Sequence, residues 1–439
     1  MLYRDTHKSL ENEERHLDEG DVTVEDFDFC GTILSLKERG RTKDRWLKHR
    51  LERLLPAIMD KHQMDVWVII GREYHEDPIM ETLFPAAVDS SRRLTIFAFF
   101  LNQDKNVSRY VLHANPAFAP YYERVWKPGQ EDQWECLGRI IRERSPRQIG
   151  VNTSSHYSFC DGLTHTFYEK LIDAVGSKLA ANVVSAQSVA LDWLQIRSEE
   201  ELIAYPTIAE TARCLAQVAL SNKVIHPGIT TTNDVVDWIR QRVSDLGILT
   251  SFYPTVDVVR KGGDRLEEVI IVPGDIVHID FGIHYLGLAT DTQQLAYVLR
   301  AGEREVPGGL QAAMRTAIRF EDILAEHFVE GRTGNEIFTA SMLQAKAEGI
   351  QPMIYSHPIG NHCHAAGPLI GMYDRQEEIP VRGDLALQNN TCYAMEFNIR
   401  QYIPEWDQEI SLYMEEPVSY IHNKLHYLAK RQTAFYVIR

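Results

Sequence analysis

Apolar residues recur along this chain in two rhythms, and the changes of rhythm divide it. Leu47, Leu51, Leu54, Leu55 and Ile58 are spaced to share one face of a helix. The runs DVWVIIG (65–71) and LTIFAFFL (94–101) are short, apolar and rich in β-branched and aromatic residues, as strands are. Residues 108–113 and 148–151 read as further strands, with helical patterns between them. Strand alternating with helix predicts an α/β domain over 44–195. Residues 1–43, acidic and then mixed, read as an N-terminal arm, extended or partly ordered.

The pattern changes near residue 195. In IRSEEELIAY (196–205), Ser198 precedes Glu201 by the capping-box spacing, so a long helix is expected to start there. Within 196–439 there is a weak internal repeat. HPGITTTNDVVDWIRQRVSDLG (226–247) resembles VEGRTGNEIFTASMLQAKAEG (329–349). Each has a glycine turn, then Thr and Asn, then an amphipathic helix ending at glycine. Two such units, each leading into strands, predict a pseudo-symmetric α+β domain.

Four acidic residues interrupt the strand pattern of this second half. IVHIDFG (276–282) alternates as a strand, with Asp280 on the face shared by His278 and Gly282. A second strand carries Asp291, so a hairpin brings both carboxylates near one point. TCYAMEFNIR (391–400) places Glu396 in an apolar run, and WDQEISLYM (406–414) does the same for Glu409. Converging carboxylates repel by ~4 kcal/mol per close pair at an effective dielectric of ~20. Shared protons or bound cations relieve that repulsion, and a multivalent cation is the simpler answer. The loop SHPIGNHCHAAGP (356–368) adds three histidines, and neutral imidazole is a common metal ligand. Cys363, between two of them, has no cysteine partner in sequence for a zinc site.

Composition limits the partners. Lys and Arg total 46 against 62 Asp and Glu, a net charge of −16, which disfavours nucleic acid and anionic membrane. No apolar run approaches the length of a membrane span, and the charged start lacks the apolar core of a signal peptide, so a cytoplasmic location is expected. The six cysteines form no CxxC pair.

The ordered set Asp280, Asp291, His357, Glu396 and Glu409 resembles the five metal ligands of the pita-bread metallopeptidases, the family of methionine aminopeptidase, aminopeptidase P, prolidase and creatinase. The resemblance covers roughly 196–439. Residues 44–195, with RLERLLPAIMDKHQMDVWVIIG, resemble the N-terminal domain of the aminopeptidase P, prolidase and creatinase branch. It implies a pita-bread fold holding two divalent ions, Mn²⁺ first, with Fe²⁺, Co²⁺ or Zn²⁺ as alternatives. Asp280 would hold one ion, His357 and Glu396 the other, and Asp291 and Glu409 both. The implied reaction is removal of an N-terminal residue from a short peptide, often before proline, by a hydroxide bridging the metals. His364 would steady the reacting carbonyl, Glu396 would carry the proton, and His362 would help hold the substrate. Relatives are often homodimers.

Two positions depart from the family. An upstream histidine is missing, with Gly263 in its place, and Asp407 stands where an arginine usually precedes the last glutamate. His278, His362, Arg260, Arg265 and Arg400 are the candidate replacements. These departures leave open a creatinase-like hydrolase of a small non-peptide C–N bond, and a non-catalytic binding protein of the same fold.

Overall fold

The computed structural model describes residues 29–263 and 265–439. The four predicted strands of the first domain lie in one six-stranded mixed sheet, whose two edge strands the sequence pattern did not indicate. Its order is Glu123–Arg124, Val107–Leu112, Leu94–Leu101, Val66–Arg72, Ile149–Val151, Val183–Ser185. Val66–Arg72 is central and buried on both faces, as its unbroken apolar run requires.

Helix formation starts earlier than the apolar pattern indicates. Leu36–His49 is helical and continues through a π-helical turn, Arg50–Leu54, into Leu55–Lys61. Residues 36–43 are therefore helix rather than arm, and residues 1–28 of the expected arm lie outside the described residues. Ser35 accepts a hydrogen bond from the Glu38 amide and caps the helix. Arg39 reaches the Leu246 carbonyl of the second domain at 3.2 Å. The Arg39 contact is tertiary and the cap is polar, so apolar periodicity alone misses the first two turns.

The second domain is built on a ten-stranded sheet that is almost wholly antiparallel. Seven strands run in the order Gln351–Ile354, Thr391–Ile403, Gln408–Ile421, Thr292–Val298, Ile276–Phe281, Thr255–Val259, Arg265–Leu266. His357–Ile359 pairs with Thr391–Ile403 as an addition to that path. Two helix pairs cover the sheet: Glu199–Ala219 with Thr232–Asp245, and Gly308–His327 with Gly334–Ala347. The second helix of each pair starts from a capping box, at Thr231 and at Thr333, after glycines Gly228 and Gly331 that share a left-handed φ of 84° and 83°. The repeated segments are thus equivalent units of a pita-bread domain with an α/β domain before it. Among the described residues no helix is long and apolar enough to cross a membrane.

Strand alternation decides which side chains reach the open face. Val277, Ile279 and Phe281 pack under the helices, so His278 and Asp280 point the other way. Tyr393, Met395, Phe397 and Ile399 do the same for Glu396, and Leu412, Met414 and Val418 for Glu415.

Candidate metal centre

The first two aspartates meet as expected from the hairpin. Ile276–Phe281 pairs antiparallel with Thr292–Val298, with Asp280 opposite Gln293, and Asp291 immediately precedes the second strand. The crossover between them is tight. A Cβ on Gly282 would lie 1.9 Å from the Thr290 carbonyl oxygen, so only glycine fits.

His357 comes in from the added strand, opposite Ala394 of Thr391–Ile403. Its Nε2 lies 3.5 Å from Asp291 Oδ2, 3.8 Å from Glu396 Oε2 and 3.9 Å from Glu415 Oε1. Ligand atoms of Asp291, His357 and Glu415 all fall within 4.8 Å of one another. Ser356, fully buried, clamps the backbone of Glu396 twice, donating to its carbonyl and accepting from its amide, both at 2.9 Å.

The fifth expected ligand needs correction. The structure does not bring Glu409 to this cluster. The hairpin turns at 404–407, so residues equally far from the turn face each other: Glu409 opposes Tyr402, and Glu415 opposes Glu396. Glu409 and Glu415 share a strand face, but six residues at ~3.3 Å each put them roughly 20 Å apart. Glu409 is exposed and lines a groove with Arg265, Arg400 and Tyr413. Glu415 is 1% exposed and sits in the cluster. A signal was present: Glu415 lies in the middle of a strand-like run, SLYMEEPVSY, longer than the one that suggested Glu409. With Glu415 as the last glutamate, the residue two before it is Tyr413 rather than Asp407.

The electrostatics are those of carboxylates lacking a counter-charge. Burial, and then the field of Asp291, push Asp280 up to about 7. Burial raises Glu396 to about 8 despite the help of His357, and lifts Glu415 well above its ordinary range. Burial alone would favour neutral His357, but Asp291 and Glu396 outweigh it and raise its pKa. Asp280 Oδ1, Asp291 Oδ1, both Glu415 carboxylate oxygens and His357 Nε2 are buried without a hydrogen-bond partner. Among the described residues no lysine or arginine forms an ion pair with these four acids. Orphaned donor atoms around one point fit hard divalent ions, because leaving each unpaired costs about 1–3 kcal/mol or more.

The other candidates separate. His364 borders the cluster, its ring 4.3 Å from that of His357, and burial lowers its pKa. It lines a cleft of about 460 Å³ with Tyr355, Tyr373, Arg382, Asp374 and Glu396. His362 is not in that cleft. It stacks on Phe159 at 4.7 Å and lines a smaller cavity with His284 and Arg50. Arg260 is committed to Asp275 at 2.7 Å and Arg265 to Asp257 at 2.6 Å. The Cys363 thiol donates to Asp291 Oδ2 at 2.8 Å, and burial drives its pKa sharply up, which suits a donor and not a nucleophile.

The histidine loop is held from outside the cluster. Buried Arg197 binds Glu201 at 3.3 Å and Asn361 at 3.2 Å, and Asn361 in turn donates to the Gly287 carbonyl. Ala289 donates to the Gly360 carbonyl at 2.7 Å. The loops bearing Asp291 and His357 are thereby tied together.

Residues 208–420 match the model of metallopeptidase family M24. A search of curated proteins finds no match. Among solved structures the chain is similar to an X-Pro aminopeptidase from Thermotoga maritima MSB8, at TM-score 0.62 and 14% identity, covering 85% of this chain and 98% of that one. It is similar to an Xaa-Pro dipeptidase from Bacillus anthracis, at TM-score 0.59 and 16% identity over 92% and 100%. It is also similar to the N-terminal domain of the FACT complex subunit SPT16 from Cicer arietinum, at TM-score 0.58 and 11% identity over 90% and 99%.

Proposed function

We propose that this chain, whose residues 208–420 form a metallopeptidase family M24 domain, is a metal-dependent peptidase that removes the N-terminal residue from short peptides. The observation that carries this reading is the cluster of Asp280, Asp291, His357, Glu396 and Glu415, in which Asp280, Asp291, His357 and Glu415 each keep a buried ligand atom without a hydrogen-bond partner. Asp280 would hold one divalent ion, His357 and Glu396 a second, and Asp291 and Glu415 would serve both. Mn²⁺ suits four carboxylates and one imidazole best, with Fe²⁺, Co²⁺ or Zn²⁺ as alternatives. Bound there, such ions supply Lewis acidity and lower the pKa of a water to about 7.

The chain's own groups supply the rest. His364, kept neutral by partial burial, can donate an N–H to a substrate carbonyl oxygen where negative charge develops. Glu396, at the junction of cluster and cleft, can pass a proton to a leaving amine. Arg382 and Asp374 place opposite charges in that cleft, which matches the two charged ends of a short peptide. Two of the similar structures are an X-Pro aminopeptidase and an Xaa-Pro dipeptidase, so proline is the first residue to test after the scissile bond.

The test is a panel of di- and tripeptides, with and without Xaa-Pro, given to protein reconstituted with Mn²⁺. Cleavage of at least one peptide, lost on chelation, is expected. A fully loaded protein that cleaves none sinks the peptidase reading. A second reading has a specific basis: Gly263 and Tyr413 stand where the resemblance has histidine and arginine. Turnover of creatine-like amides, with peptides untouched, would favour non-peptide C–N hydrolysis. A protein that binds no metal would favour the binding role, in keeping with the fold's likeness to a subunit of a complex.

A further inference from the structure

We propose that Asp257, His278 and Gln293 form a hydrogen-bonded relay that fixes the carboxylate of Glu396 for metal binding. The inference rests on the metal reading above and adds three positioning residues to it.

Cross-strand pairing lines these side chains up. Asp257 opposes His278, Gln293 opposes Glu415, and Glu415 opposes Glu396, so the row crosses five neighbouring strands on the open face. Asp257 Oδ2 lies 2.8 Å from His278 Nδ1, and His278 Nε2 lies 3.1 Å from Gln293 Oε1. Gln293 then reaches past Glu415, and its Nε2 donates to Glu396 Oε1 at 2.5 Å. Asp257, His278 and Gln293 are 1%, 2% and 3% exposed, so water does not substitute for any link. Arg265 closes the outer end, bonded to Asp257 and lying over the Tyr413 ring at 4.7 Å.

A buried amide gives the relay a direction. In the ionised form that would hold a metal, the Glu396 carboxylate only accepts, so the Gln293 NH₂ faces Glu396 and its carbonyl faces His278. His278 Nε2 then gives its N–H to the Gln293 carbonyl, while Nδ1 lies between Asp257 Oδ2 at 2.8 Å and the Arg265 guanidinium at 3.1 Å. Asp257 holds the ring from behind. The consequence for Glu396 is division of labour between its oxygens: Oε1 is taken by Gln293, while Oε2 is left facing His357 Nε2 at 3.8 Å. Outer partners that orient a metal ligand in this way are typically worth 10–100-fold in metal affinity.

The test is calorimetric titration of the chelator-stripped full chain with Mn²⁺, for the wild type and for Gln293→Leu and Asp257→Asn. A tenfold or greater rise in the Kd of one of the two ions is expected, with the other ion and the metal-free melting temperature little changed. A merely structural role would instead lower the melting temperature or weaken both ions alike. Should Gln293→Leu fail to fold, Asp257→Asn, which keeps the shape of the relay, carries the same expectation. Folded variants whose two Kd values stay within twofold of the wild type overturn the relay alone. A wild type that binds no Mn²⁺ overturns the relay and the metal reading together.

Discussion

Without metal, this protein should lose stability as pH rises across neutrality, opposite to the usual behaviour of paired carboxylates. Asp280 is raised from 3.8 to about 7 and Glu396 from 4.5 to about 8. Both groups bind their proton more tightly folded than unfolded. Below about pH 4 the folded and unfolded chains are both protonated there, and nothing is lost. Between about pH 4 and 8 the unfolded chain releases protons that the folded chain keeps, so stability falls by up to 1.36 kcal/mol per pH unit per group. Taken alone, each shift is worth on the order of 4 kcal/mol. Neutralising one relieves the other, so a combined loss on the order of 5 kcal/mol is expected. At about 2.1 cal/mol/K per residue over 439 residues, 1 kcal/mol moves Tm by about 1 °C, giving a fall of about 5 °C from this cluster. Mn²⁺ replaces the protons, so its stabilising effect should grow with pH. The assay is thermal unfolding at pH 5, 7 and 8.5, in chelator and in excess Mn²⁺. A Tm difference between the two conditions that shrinks as pH rises would refute the reasoning.

Three further outcomes are expected. His364→Ala should lower kcat by about 10²–10³ while leaving metal content intact, since the ring meets substrate and not ion; kinetics beside elemental analysis decides this. Arg197→Met should lower unfolding free energy in urea by about 1–3 kcal/mol, because Asn361 loses its buried donor and Glu201 is left with Arg50 as its one guanidinium partner; an unchanged midpoint would remove Arg197 as the brace of the histidine loop. The Cys363 thiol, held protonated by burial and Asp291, should react with iodoacetamide at pH 8 far more slowly in the folded, metal-free protein than a free cysteine does, as peptide mapping would show.

Much of the fold was legible because burial leaves a pattern. Val66–Arg72 and Leu94–Leu101 are unbroken apolar runs, and buried strands need such runs. Asp280 and Asp291 stood out because a carboxylate on a half-apolar strand is costly unless something compensates it. Glu409 shows where that reasoning stops. Alternation gives the face of a strand but not the position along it, and Glu409 and Glu415 share a face. Only the turn at 404–407 determines which of them opposes Glu396. The helix start at Leu36 was hidden for a related reason: its stabilising contacts come from Leu246 and Gly247, distant in sequence. His362 and His364, two residues apart in one loop, face different cavities, and no periodicity operates there.

Counting bound ions is the most direct check. Wild type, Glu415→Ala and Glu409→Ala would each be saturated with Mn²⁺, desalted and measured by elemental analysis. Two ions are expected in the wild type and in Glu409→Ala, and at most one in Glu415→Ala. Full occupancy in Glu415→Ala, with loss in Glu409→Ala, would contradict the buried cluster as the metal centre.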